Sequence, residues 1–126
     1  MANLNQVTLV GNLARDPELR WTPSGTAVTV LSLAVNYRYR QGQEWHDEVC
    51  YIDCTVFGPQ AEAATAYLSK GSPILIEGRL RFRTWETQDG QRRSKHEVMT
   101  SNVQFLPRSS GEQEPEVPED LEDLPF

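Results

Sequence analysis

The sequence is poor in cysteine, with two among 126 residues, and it has neither an excess of bases nor a long apolar run. Each shortage excludes something. Without about 18 consecutive apolar residues there is no candidate membrane helix. The opening stretch MANLNQVTLVGNLARD lacks a basic segment followed by an apolar core. No signal peptide is therefore expected, and a cytoplasmic setting is the default. Cys50 and Cys54 lie four apart in EVCYIDCTVF. On a strand their Cα atoms would sit roughly 13 Å apart, at about 3.3 Å per residue, whereas a disulfide needs them within about 7 Å. A metal site would want more ligands, and only His46 and His96 remain to supply them. The cysteines are read as small buried hydrophobes, and no metal or cofactor is expected. A glycine-rich phosphate loop, an H-E-x-x-H pair and a nucleophile elbow are all missing. Asp47 beside Glu48 is a charge pair, not a catalytic dyad, so nothing argues for an enzyme.

The net charge of -6 looks wrong for a ligand of polyanions, but its distribution removes the objection. Residues 107–126 hold seven acids and one base, while residues 1–106 hold 11 of each. The same terminal stretch, PRSSGEQEPEVPEDLEDLPF, carries four of the eight prolines and little apolar material to offset the entropy of ordering. Two parts are expected: a globular domain over residues 1–106 and a disordered acidic tail over 107–126.

The domain reads mostly as strands. NQVTLVGNL, TAVTVLSLAVNY, EVCYIDCTVF, PILIEGRLRFRTWET and RRSKHEVMTSNVQFL are β-branched or alternating runs, the last two joined at the turn dipeptide Asp89-Gly90. GPQAEAATAYLSKG breaks the pattern. Pro59 suits a first helical position, alanines favour helix, Gly71 suits its end, and Ala61, Ala64 and Leu68 make a narrow apolar face. Five strands with one helix between the third and fourth predict an all-β, five-stranded Greek-key OB-fold barrel, with a split sheet under one helix as the alternative. Gly78, inside the fourth run, fits a sharp barrel bend.

Strand side chains alternate between faces. In the fourth run Ile74, Ile76, Leu80 and Phe82 share the parity expected of a core face, and Arg79, Arg81, Arg83 and Trp85 share the other. In the third, Cys50, Ile52, Cys54 and Val56 fall on one side and Tyr51, Asp53, Thr55 and Phe57 on the other. A row of like charges repels itself, and a structural surface would intersperse acids. Three arginines beside exposed rings instead suit a ligand that is both anionic and flat. Single-stranded nucleic acid is such a ligand, since unpaired bases stack on aromatic rings and phosphates pair with arginine. Parity does not say whether Tyr37 or Tyr39 is exposed, and Trp21 and Trp45 read equally as packing anchors or as contacts.

Three stretches, NQVTLVGNLARDPELRWTPSG, TVFGPQAEAATAYLSKGSPILIEGRLRFRTW and the terminal DLPF, together resemble the bacterial single-stranded DNA-binding protein family. The likeness covers about residues 3–106 and then the tip. It implies an OB-fold, a homotetramer around which single-stranded DNA wraps, a nucleoid-associated cytoplasmic location, and stacking rings at Tyr39, Tyr51, Phe57 and Trp85. Many members carry Trp where this chain has Tyr39 and Tyr51, and Tyr offers less stacking area. The resemblance also gives the tail a purpose. The acidic tip Asp120, Glu122, Asp123, Leu124, Pro125 and Phe126 would dock onto replication, recombination and repair proteins, with Phe126 offering a ring and a carboxylate. An interaction module whose tail is its main activity, and an RNA-binding OB protein, are the other readings.

Overall fold

The computed structural model describes residues 1–107. The expected acidic tail and its six partner-binding residues lie outside the described residues. The elements are β1 (Val7–Leu13), β2 (Arg20–Trp21), β3 (Ala27–Gln41), β4 (Glu44–Phe57), α1 (Pro59–Tyr67), β5 (Pro73–Glu86) and β6 (Arg92–Phe105). The sheet runs β1-β5-β6-β4-β3, and β1 pairs back onto β3 through Asn12 opposite Ala34, which closes a five-stranded barrel. The two-residue β2 is an addition on the outside of β3, too short for any periodicity to mark it. This is the expected OB-fold, with its helix between β4 and β5.

Alternation builds the interior. Leu31 and Leu33 of β3, Cys54 and Val56 of β4, Ile74 and Ile76 of β5, and Val98 of β6 are fully buried. Ala61 and Ala64 of α1 join them, with Leu68 packed at the margin. The helix ends earlier than the Gly71 signal suggests: Leu68 is its C-cap, and Gly71 takes a positive φ in the turn that follows. Pro59 opens the helix as expected.

Strand pairing outlasts the barrel. β3 and β4 pair continuously from Val28–Phe57 to Gln41–Glu44, across the two-residue turn Gly42-Gln43. β5 and β6 pair out to Glu86–Arg92. Two hairpin arms therefore project beyond the core, and three residues expected inside it are not there. Leu80 is 42% exposed, Phe82 59% exposed, and Cys50 is also exposed. Their parity is that of the core, but the barrel closes before it reaches them. Phe82 packs instead against His96, with ring centroids 5.0 Å apart.

One irregularity fixes the register of β6. Glu77 pairs with Asn102 but Gly78 pairs with Thr100, so Ser101 is an extra residue. The bulge reverses the parity of β6, so that Val103 packs against the core on one side of it and Val98 faces inward on the other. Gln60 of α1 serves the freed backbone. Its Nε2 donates to Ser101 O at 3.0 Å, and its Oε1 accepts from Val103 N at 2.8 Å.

Candidate nucleic-acid interface

Opposite the core lies an outer face shared by β5, β6 and β4. On β5, Arg79, Arg81, Arg83 and Trp85 stand across from Met99, Glu97, Lys95 and Arg93 of β6. β6 in turn pairs in parallel with β4, placing Met99 beside Thr55, so Tyr51, Asp53, Thr55 and Phe57 continue the same face. Six of the seven residues expected to bind nucleic acid are thus brought together: Tyr51, Phe57, Arg79, Arg81, Arg83 and Trp85. Their rings are open to solvent, with Tyr51 70% exposed, Phe57 42% and Trp85 36%.

Tyr39 is the exception. It pairs with His46 and so takes the parity of Cys50 and Cys54, on the opposite side of the β3–β4 arm from Tyr51. There it forms a stack between Tyr37, at 5.6 Å, and His46, at 5.3 Å. Desolvation, helped by the Glu48 carboxylate, pushes its hydroxyl above the usual tyrosine range, so the ring stays neutral. The outer side of the same arm holds Trp45, whose role alternation alone does not decide. The guanidinium of Arg38 lies 4.7 Å from its ring centre and that of Arg40 lies 5.9 Å away. Both arginines lie on the same side of the arm as the indole, a cation–π arrangement. The alternation in YRYRQGQEW carries it once the turn at Gly42-Gln43 is recognised.

The arginine row carries no acid within β5, but β6 sets one beside it. Glu97 Oε1 lies 3.9 Å from Arg81 Nε and 3.3 Å from Arg83 Nε, and its Oε2 lies 3.9 Å from Lys95 Nζ. Lys95 Nζ also donates to Asp53 at 2.6 Å, and Ser32 Oγ donates to the same carboxylate at 3.0 Å. Among the described residues Arg79 makes no ion pair, and the guanidinium of Arg83 lies 4.8 Å from the Trp85 ring centre. Alternation along β4 already places Asp53 on this face, but nothing in the sequence singles out Lys95, Arg93 or Glu97 for it. Which acid meets which base is decided by cross-strand register, and no single strand carries that information.

Asp53 makes the electrostatics testable. Partial burial works against its charge, but the hydrogen bonds from Lys95 and Ser32 win and hold its carboxyl below the usual carboxylate range. A carboxyl lowered in the folded state stabilises fully above its unfolded value, about 3.9, and that contribution fades as pH falls through the lower folded value. Melting temperature measured from about pH 5 downward should therefore fall less steeply in Asp53→Asn than in the parent. Equal acid slopes would show that the bonds to Lys95 and Ser32 do not hold in solution.

Neither cysteine shows ligand geometry. Burial and the nearby Asp53 push the Cys54 thiol up to about 12, and among the described residues no group of three or more His, Cys, Asp or Glu is placed to hold a metal. Among them, too, no helix is long and apolar enough to cross a membrane.

Comparison with known proteins places this architecture. The chain is 52% identical over 103 residues to a single-stranded DNA-binding protein of Wolinella succinogenes, covering 81% of this chain and 64% of that protein. It is 46% identical over 113 residues to one of Helicobacter hepaticus, covering 88% of this chain and 66% of that protein. A Bacillus cereus protein of the same name is 45% identical over 109 residues, covering 86% and 64%. The chain spans just under two thirds of the length of these relatives. The single-strand binding protein family model matches residues 4–106, and the chain belongs to that family.

Proposed function

We propose that the protein binds single-stranded DNA without regard to sequence. The observation that carries this is the single outer face on which Tyr51, Phe57 and Trp85 stand open beside Arg79, Arg81 and Arg83. Rings and guanidinium groups at strand spacing suit unpaired bases and their phosphates, and duplex DNA hides the base faces this surface would stack on. The relatives' names point the same way. Tyr39 joins the site from the opposite side of the β3–β4 arm, where a strand wrapping around the arm would meet it. The chemistry is binding, not catalysis.

In this reading residues 1–106 are the DNA-binding domain and 107–126 the tail. The protein coats strands during replication, recombination and repair in the bacterial cytoplasm, and recruits partner proteins through Asp120, Glu122, Asp123, Leu124, Pro125 and Phe126. Four copies assemble into the working unit. Exposed Leu80 and Phe82 on one arm, with Val10 on β1, give copies apolar surface to cover.

Titration with oligo-dT, followed by Trp fluorescence and repeated with duplex DNA and RNA, tests the binding. Quenching by oligo-dT with much weaker response to duplex is expected, and equal affinity for duplex overturns the proposal. RNA binding as tight as that of DNA would favour the RNA-binding reading. Sedimentation of the free protein tests the assembly, with a tetramer expected. Deleting Leu124 to Phe126 should abolish capture of replication and repair proteins while leaving strand binding intact or slightly tighter, because the tail acids compete with phosphates. Loss of strand binding on that deletion would break the division of labour between domain and tail.

A further inference from the structure

A surface that does nothing but attract an anion has no use for a carboxylate at its centre, yet Glu97 sits there. It is 4% exposed, shares the outward parity of Arg81, and lies within ion-pair reach of three cations at 3.3–3.9 Å. Desolvating a carboxylate is costly, and packing alone would be served by an apolar side chain. Its charge is therefore the property that needs a reason. The contact geometry supplies one. Both ion pairs to Glu97 are made at Nε and are contacts of charge alone, because Arg81 Nε is 3.9 Å away and the buried Arg83 Nε finds no hydrogen-bond acceptor among the described residues. Among the described residues the hydrogen bond that Arg81 Nη1 makes is to the weak acceptor Met99 Sδ, at 3.2 Å. A phosphate can thus be forked by the outer edge of each guanidinium while the carboxylate stays behind it. Asp53 repeats the arrangement at the end of the patch, against Lys95.

We propose that Glu97 is a buried counter-charge that limits how tightly this face holds a single strand. It acts through Arg81, Arg83 and Lys95, keeping the three cations folded onto the sheet and weakening their pull on phosphate. Coulomb attraction falls only as the inverse of distance, so an acid at 3.3–3.9 Å offsets much of what a phosphate at similar range would gain. The consequence is a face that binds through stacking and releases readily, instead of one dominated by charge. The proposal rests on the single-strand reading above.

Glu97→Gln is the direct test, because the amide keeps the shape of the carboxylate and removes its charge. At fixed salt its Kd for oligo-dT should fall about threefold or more, and the slope of log affinity against log salt should steepen by about 0.7, as for one more phosphate neutralised. A folded Glu97→Gln protein that binds no tighter than the parent, with an unchanged slope, overturns the proposal. Should circular dichroism show that Glu97→Gln does not fold, Asp53→Asn decides the matter on the half-exposed end of the same array. It should tighten binding about twofold with a steeper slope, and an unchanged slope overturns the counter-charge idea. A parent protein that fails to bind oligo-dT overturns both this proposal and the function beneath it, whereas tight parental binding with no effect of either variant removes this proposal alone.

Discussion

Replacing Trp85 with Ala should weaken oligo-dT binding roughly 5- to 150-fold, the range that corresponds to about 1–3 kcal/mol for one stacked base. The indole is open to solvent on the outer face, and Arg83 lies 4.8 Å from its ring centre. A base stacking on the free side would complete a sandwich of guanidinium, indole and base. Tyr51→Ala should cost less, since a phenol ring offers less area than an indole, although Tyr51 is the more exposed of the two. The decisive readout is salt dependence. Losing a ring lowers affinity at every salt concentration and leaves the slope unchanged. Arg79→Ala, which removes a cation that makes no ion pair among the described residues, should instead flatten the slope by about 0.7. A Trp85→Ala protein that loses affinity only at low salt would mean that its effect runs through Arg83, not through stacking. Tyr67→Ala is the control: Tyr67 is an exposed ring on α1 beside Phe105, which pairs with Ile74 at the opposite end of β5 from Trp85, and its loss should leave affinity as it was.

Why the sequence shows this face so well, and the core limits so poorly, follows from what period-2 alternation contains. Alternation states which side a residue faces. It holds for Arg79 through Trp85 and for Tyr51 through Phe57 because β5 and β4 pass through those stretches without an extra residue. Alternation does not state where the barrel stops. Leu80, Phe82 and Cys50 have core parity but belong to arms, and their burial depends on strands that have already turned away. The β3–β4 arm escapes a sequence reading for a related reason. YRYRQGQEW is polar on both sides, so no apolar stripe marks it, and only Gly42, at φ 66°, betrays the turn. Glu97 is hidden twice over. Its partners lie on another strand, and the bulge at Ser101 reverses the parity that the inward-facing Val103 would lead one to extend along β6.

That bulge depends on Gly78, and Gly78→Ala should be the most damaging of the small substitutions. Its backbone φ is not in the left-handed region, so the cost is one of space. A Cβ there would sit 2.2 Å from Met99 O and 2.9 Å from Met99 C, both backbone atoms that no rotamer change can move. β6 would have to lift from β5 where the bulge brings them closest. Overpacking of this kind reaches about 3 kcal/mol, and for a domain of this size that lowers the melting temperature by roughly 10–20 °C. The loss should reach function as well, because pairing from Arg79–Met99 to Trp85–Arg93 begins immediately beyond Gly78. If β6 shifts by one residue, Glu97 and Lys95 turn inward and the charged face comes apart. Gly90→Ala separates space from conformation. A Cβ at Gly90 meets nothing within 4 Å, but its φ of 84° strains any other residue, so only about 1 kcal/mol should be lost and strand binding should persist. A Gly78→Ala protein that melts within a few degrees of the parent would mean that β6 yields locally. In that case the register of the binding face is held by Gln60 and the barrel closure, not by the close approach at Gly78.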